Sequence, residues 1–255
     1  FLLNRSSDLL DEFIAFNEKF YVPNNAVLVV AGDFEMEEAK KMIANYFSEI
    51  PRGEEIEVQT FEETPISEPI TAEAFDKNIQ VPALFTAYRI PKKTTRDSRV
   101  LDMISTYLSD GKSSKLYRKL VDEKKMSLQV AAFNMSMEDY GLYVILSLPV
   151  GSTELAAIRD EIDEEVDKIQ NELISEKDYQ KLLNKFESDF VSSNSSVEGI
   201  ANSLAEYYAI YGDTNLINSE IDIYRSISRE EIRAAAKKYL NPNQRLTLNY
   251  LPESK

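Results

Sequence analysis

The chain has 255 residues, of which 43% are hydrophobic, so it is long enough to bury a sizeable core in one or two domains. It contains no histidine and no cysteine, which excludes disulfides, thiolate chemistry, Ser-His-Asp catalysis and the usual histidine-containing zinc sites. A formal net charge of −15 argues against nucleic acid and anionic membrane as partners, and no apolar run is long enough to insert into a bilayer.

The segment Phe20–Phe34, FYVPNNAVLVVAGDF, predicts a helix end, a turn, a short strand and a second turn. An amphipathic helix is predicted over Asp8–Phe20, and Pro23 cannot continue it. Ala26–Ala31 is a valine-rich apolar run, which is the pattern of a strand covered on both faces. A strand alone has two unpaired edges, so we expect this one to add to another sheet or to the sheet of a second chain.

The same order of helix, Pro-Asn turn and apolar strand returns at the other end of the chain. Pro242 lies 219 residues after Pro23 (242 − 23), and at that spacing Asn24 corresponds to Asn243. The apolar pair Val27 and Val29 then corresponds to Leu246 and Leu248. The repeat predicts two copies of one unit, of which the first is represented here only by its last part.

Three regions follow from this repeat and from composition. Residues 1–50 are predicted to be the end of the first half, and they include a second helix over Glu35–Phe47. Residues 51–69, rich in proline and glutamate, are predicted to be a linker. Residues 70–255 are predicted to be the second domain.

The second domain is predicted to contain one sheet with helices behind it. Two strands are followed by two helices, a hairpin, a block of helices and a last strand, which indicates an α+β fold with an antiparallel or mixed sheet. The predicted strands are 70–75, 82–90, 128–135, 142–148 and 245–251.

Two charged clusters and one loop resemble ligand-binding sites. Gly111-Lys112-Ser113 resembles the end of a phosphate-binding loop, but the first glycine of that motif is replaced by Thr106. The basic run Lys112–Lys125 and the acidic run Asp160–Asp167 are interpreted as solvated helix faces. No catalytic residue and no metal ligand is predicted.

Two stretches resemble the insulinase/pitrilysin family of zinc peptidases, which includes mitochondrial processing peptidase. One is Phe13–Phe34, with the F-Y-x-P-N-N-A-x-L-V-V-A-G-D-F pattern. The other is Leu108–Lys124, LSDGKSSKLYRKLVDEK, and the ending Ile232–Pro252 also fits. The resemblance implies the metallopeptidase-half fold, with the non-catalytic C-terminal half of the family preceded by the end of the catalytic half.

In that family an H-x-x-E-H motif in the other half binds zinc, with its glutamate as general base. Zinc is therefore expected in the missing half of the parent and not in this fragment. The family's second half often contributes an arginine and, seven residues later, a tyrosine that hold the substrate. The matching positions are Val121 and Leu128, which have no side-chain donor, so that role is expected to be lost.

The resemblance therefore implies an inactive C-terminal domain that forms part of a peptide-binding chamber. Its expected partners are the missing catalytic half or a homologous subunit, and peptide substrates in the parent, with a homodimer as a further option. The alternative is a structural or assembly subunit of a parent with no peptidase activity. The compartment is not determined by the sequence, and in a bacterium it would be the cell envelope, the periplasm or the cytoplasm.

Overall fold

The computed structural model describes residues 8–57, 63–64 and 66–253, so part of the predicted linker lies outside the described residues. The chain divides into two compact units. One is formed by Phe1–Thr60 with Val191–Asn218, and the other by Phe61–Phe190 with Ser219–Lys255. The division predicted from the sequence, into regions 1–50, 51–69 and 70–255, concerns the two repeated halves, and it stays a prediction.

The described residues form helices in the order that the sequence predicts. A π-helix, Tyr117–Glu123, lies where the second helix after the first two strands is predicted. None of the described helices is both long and apolar enough to cross a bilayer. The α-helices are α1 (Asp8–Phe20), α2 (Met36–Phe47), α3 (Arg96–Ser109), α4 (Leu155–Asn171), α5 (Glu176–Ser193), α6 (Val197–Glu206), α7 (Glu220–Arg225) and α8 (Arg229–Tyr239).

The larger unit is built on one five-stranded sheet in the order β1-β5-β2-β4-β3. β1 and β5 are parallel, and every other neighbouring pair is antiparallel. The α+β prediction with a mixed sheet is confirmed. The strands are β1 (Ile70–Asp76), β2 (Ala83–Pro91), β3 (Ser127–Ser136), β4 (Tyr140–Pro149) and β5 (Arg245–Pro252).

The strand predicted at Ala26–Ala31 is not formed. The backbone is extended where the segment begins, with φ −126° and ψ 146° at Ala26, but no described strand pairs with it. A strand needs a hydrogen-bonded neighbour, and the described residues supply none to this segment. The smaller unit also exposes many apolar side chains, including Leu10, Phe13 and Met36.

One face of the sheet packs against helices and forms the core. Tyr143 and Ile145 of β4 are fully buried there, and helices contribute Ile104, Ile158 and Ile232, which are also fully buried. Burying each of these four isoleucine side chains stabilises the fold by about 1.5–3 kcal/mol. The other face of the sheet takes no part in this cluster.

Polar groups link the helices beneath the sheet. The buried Arg99 guanidinium donates from Nε to Glu220 at 2.8 Å and joins α3 to α7. Tyr224 donates to one carboxylate oxygen of Asp102 at 2.9 Å, and Asn134 donates to the other at 2.7 Å. Burial raises the pKa of Asp102 above its ordinary value. These bonds fix how α3, α7 and β3 lie together.

Helix α8 begins with a capping box formed by Ser228 and Glu231. The Ser228 hydroxyl accepts from the Glu231 backbone N–H at 3.2 Å, and the Glu231 carboxylate accepts from the Ser228 N–H at 2.8 Å. Arg96 also donates to Glu231, from Nε at 2.6 Å. These donors, led by Arg96, lower the pKa of Glu231 from 4.5 to about 2.

Replacing Glu231 with Gln is expected to lower stability in a pH-dependent way. Because the folded-state pKa lies below the ordinary value, the ionised carboxylate stabilises the fold above pH 4.5, and this contribution is lost as the pH falls toward about 2. We expect Glu231→Gln to cost about 1 kcal/mol at neutral pH, since the group is partly exposed and solvent screens it. The measurement is urea unfolding at neutral pH and near pH 3, where the difference from the natural chain shrinks. The adjacent exposed Glu230→Gln is the control, and an equal effect of both variants would contradict the assignment.

The two faces of β4 are expected to respond differently to the same substitution. Ile145 is fully buried under the helices, whereas its neighbour Val144 points to the other face and is partly exposed. We expect Ile145→Asn to destabilise the chain by about 4 kcal/mol or more, and Val144→Asn by about 1 kcal/mol. Chemical unfolding of both variants is the measurement. Equal losses would show that both faces are core.

Candidate functional site: the open face of the sheet

The described residues provide no metal centre. Within the described ranges, no three His, Cys, Asp or Glu side chains are grouped so that they could hold a metal ion. The whole sequence lacks histidine and cysteine, so the donor set of a zinc peptidase is not available from this chain.

The side of the sheet away from the helices is an apolar surface, which we call the open face. Residues that lie opposite each other on neighbouring strands point to the same face. Two rows cross all five strands on this side, and every member is aliphatic or aromatic. The first row is Phe133, Val144, Ala87, Leu246 and Ile70, and the second is Ala131, Leu146, Phe85, Leu248 and Ala72.

Exposure of these rows is greatest toward the edge strands. Phe133 on β3 is 45% exposed and Ile70 on β1 is 44% exposed, while Val144 and Leu248 further inside are partly buried. A contiguous exposed apolar surface usually marks a site that binds another molecule, because soluble proteins rarely leave a large surface of this kind in contact with water. The sequence carried a signal for it, because Leu142–Leu148 is apolar on both faces and such strands are usually covered on both.

The β3 edge extends the open face. Leu128 and Met135 of β3 are 58% and 47% exposed, and Leu142, which lies opposite Met135 on β4, is 44% exposed. β3 is the last strand of the sheet, so along its outer side the backbone has no partner strand in the described chain. Flexible methionine side chains suit a surface that adapts to different ligands.

Arg89 is a charged side chain on the open face. Its guanidinium donates to the Thr64 carbonyl at 2.7 Å and forms an ion pair with Glu63 at 2.7 Å. Both partners precede β1, so this contact ties the chain that enters the sheet to β2. It is a structural tether, and the hydrogen bond from Tyr250 to Asp76 is a second polar contact on the same face.

The two positions matched to the family's arginine and tyrosine lie in irregular backbone. Val121 is in the π-helix, partly buried against the core. Leu128 lies at a β-bulge, where the register between β3 and β4 shifts between Ser127 and Gln129. Irregular backbone of both kinds is frequent next to functional sites. The loss of a substrate-holding role at Val121 and Leu128 stays a prediction.

The charged clusters do not face solvent as a whole, which corrects the interpretation from sequence. Lys119 is 9% exposed, and its ammonium group lies 3.0 Å from Glu161, 2.7 Å from Glu164 and 3.4 Å from Glu165. The basic run thus pairs with the acidic run on α4. Opposite charges meet here because tertiary packing brings together two helices that are 42 residues apart at Lys119 and Glu161.

Gly111-Lys112-Ser113 forms the turn after α3. Gly111 has φ +73°, in the left-handed region that glycine adopts readily. The Ser113 hydroxyl accepts from Lys181 at 2.6 Å, and Lys115 donates to Asp178 at 2.9 Å. The loop connects two helices and does not follow a strand. A phosphate-binding loop follows a strand, so the structure agrees with the sequence in disfavouring that interpretation.

Comparisons with known proteins agree with this geometry. Residues 8–186 match the family described as the peptidase M16 inactive domain. The zinc protease PqqE of Helicobacter pylori is 24% identical over 248 residues, which cover 95% of this chain and 55% of that protein. The chain therefore spans little more than half the length of this curated relative.

Solved structures share the fold. A protease from Helicobacter pylori superposes with a TM-score of 0.87 at 22% identity, covering 94% of this chain and 59% of that one. A peptidase M16 inactive domain from Pseudomonas fluorescens superposes with a TM-score of 0.80 at 15% identity, covering 96% and 57%. The family match over most of the chain confirms the resemblance seen in the sequence: this chain belongs to the peptidase M16 family, as its inactive domain.

Proposed function

We propose that this chain forms the non-catalytic wall of a peptide-binding chamber that a separate half, carrying an H-x-x-E-H zinc site, completes. The observation that carries the proposal is the open face, where two rows of apolar side chains cross all five strands on the side away from the helices. Exposing such a surface to water is thermodynamically unfavourable. A second half placed opposite it would cover the surface and enclose a cavity between the two halves.

The open face and the β3 edge suit an extended peptide. A peptide strand can pair its backbone with the free edge of a sheet while alternate side chains rest on the adjoining surface. The exposed Phe133, Met135 and Leu142 would then contact apolar side chains of the peptide. The substrate class supported by this wall is unfolded peptide with apolar residues.

Zinc belongs to the partner half in this proposal. A zinc ion there would polarise the scissile carbonyl and activate water, and the glutamate of the motif would act as general base. This chain would bind and orient the peptide and exclude water, since its sequence has no histidine to offer the metal. Relatives named zinc proteases support the pairing.

A structural subunit without peptidase activity is the second candidate. It is favoured by Val121 and Leu128, because neither side chain can donate a hydrogen bond to a developing oxyanion. The two candidates differ in whether the coding sequence upstream of Phe1, or that of a partner subunit, contains H-x-x-E-H.

Proteolysis is expected only from the assembled protein. A mixture of unstructured peptides is incubated with zinc and this chain alone, and then with the chain joined to its H-x-x-E-H half. We expect cleavage in the second case only, with loss of cleavage after chelation of zinc.

Val144→Asn on the open face should raise KM several-fold with little change in kcat, because it removes apolar contact with bound peptide. Glu172→Gln, beyond the C-terminal end of α4, serves as the matched control and should leave both constants unchanged.

Zinc-dependent cleavage by the chain alone would contradict the proposal. Absence of cleavage by the assembled protein, together with absence of H-x-x-E-H, would favour the structural subunit.

A further inference from the structure

A cavity of about 220 Å³ lies in the helix layer of the larger unit, between the end of α3, the turn that follows it and α5. None of the described residues that line it lies on the open face, so the cavity is separate from the proposed peptide surface. Pockets for drug-sized ligands have volumes of about 300–1,000 Å³. A ligand that fills this cavity would therefore be smaller than a drug-sized molecule.

The charged side chains of the cavity include three lysines. Lys115 pairs with Asp178 at 2.9 Å, and Lys185 lies 3.4 Å from Asp110 and 2.6 Å from Asp189. Carboxylates thus neutralise two of the three lysine charges. The described lining contains no arginine, which is the residue that most often holds a planar carboxylate through two parallel hydrogen bonds. A lysine ammonium instead acts as a point charge, and it commonly binds phosphate groups.

Lys181 is the third lysine of the cavity, and it forms no ion pair with the described part of the chain. Its ammonium donates to the Ser113 hydroxyl at 2.6 Å, and two further N–H donors remain on the ammonium. The proton of the Ser113 hydroxyl has no acceptor among the described residues. One positive charge and three donor hydrogens therefore remain for a ligand on two side chains that already touch.

The backbone next to both side chains is held in place. Leu182, which follows Lys181 on α5, is buried in the core and anchors this part of the helix. Ser113 lies in a turn that the Ser114 N–H closes on the Gly111 carbonyl at 3.1 Å. The space beside Gly111 is open, because a side-chain carbon at this position would meet no atom of a more distant residue within 4 Å. A ligand can therefore reach the two donors from solvent.

We propose that this cavity binds a small phosphate monoester, whose phosphate group is held by the Lys181 ammonium and the Ser113 hydroxyl. The site differs from a phosphate-binding loop, in which backbone N–H groups of a glycine-rich turn after a strand surround the phosphates. Here side chains of a turn between two helices and of α5 hold the phosphate group. The inference goes beyond the proposed function, because it uses no residue of the open face and needs no zinc-binding half.

The charge of the whole chain opposes unspecific binding of anions. The formal net charge is −15, so the overall field repels a phosphate group. Saturable binding of phosphate would therefore come from local donors and not from a general attraction of anions to the surface.

The test follows the binding of small molecules to the 255-residue chain by nuclear magnetic resonance. The backbone amide signals of Gly111 and Ser113 are recorded while inorganic phosphate or glycerol 3-phosphate is added at constant ionic strength, with glycerol as the uncharged comparison. We expect saturable shifts of these signals with both phosphate compounds and no shift with glycerol. Acetate should bind at least about tenfold more weakly than inorganic phosphate, because the donors are lysine and serine rather than arginine.

Three variants locate the binding site. Lys181→Gln should weaken the binding of inorganic phosphate at least about tenfold, because it removes the unpaired charge. Ser113→Ala should weaken binding about threefold, because it removes one neutral hydroxyl donor. Lys177→Gln is the matched control, since Lys177 is exposed on the same helix, outside the lining of the cavity. It changes the net charge equally and should leave the dissociation constant within about twofold.

Shifts that do not saturate, or equal weakening by Lys181→Gln and Lys177→Gln, would overturn the inference. Equal binding of acetate and inorganic phosphate would overturn the assignment of a phosphate ligand. Lys181 and Ser113 are exposed, so both variants should fold, and circular dichroism checks this. None of these outcomes bears on the peptide chamber, so the two proposals succeed or fail separately.

Discussion

The double pairing of the last strand is the constraint on which the larger unit depends. β5 lies between β1 and β2, so the first and second strands of the sheet are joined only through a strand that comes at the end of the chain. The turn Pro242–Gln244 then places α8 directly against the sheet, and Ile232 and Leu240 are fully buried as a result. Removing β5 would separate β1 from the sheet and uncover the helix layer.

The helix layer is held by charges that are shielded from water. Arg99 with Glu220, and Lys119 with Glu161 and Glu165 of α4, lie where desolvation is costly, so each charge needs its partner in place. These pairs specify how the helices lie across one face of the sheet. On the opposite face the ion pair between Arg89 and Glu63 ties the chain that enters the sheet to β2 and orders no helix, which is consistent with a surface that contacts a partner or a peptide.

Much of this protein is determined by its sequence. Apolar spacing and Pro-Asn turns predicted nearly every helix and strand, because these signals are local. The absence of histidine excludes an H-x-x-E-H zinc motif within these 255 residues. The family followed from residue order in two stretches, and the repeat followed from the spacing of two Pro-Asn turns.

Tertiary structure decided the features that local sequence patterns cannot determine. Whether Ala26–Ala31 forms a strand depends on a neighbour, and the described chain offers none, so the same pattern that forms β5 stays unpaired there. The runs around Lys119 and Glu161 resembled solvated faces because each is polar by itself, and only packing shows that they neutralise each other. The sequence signalled an apolar second face only within Leu142–Leu148, and cross-strand register extended it by placing Val144 beside Phe133 and Ala87, which are far from it in sequence.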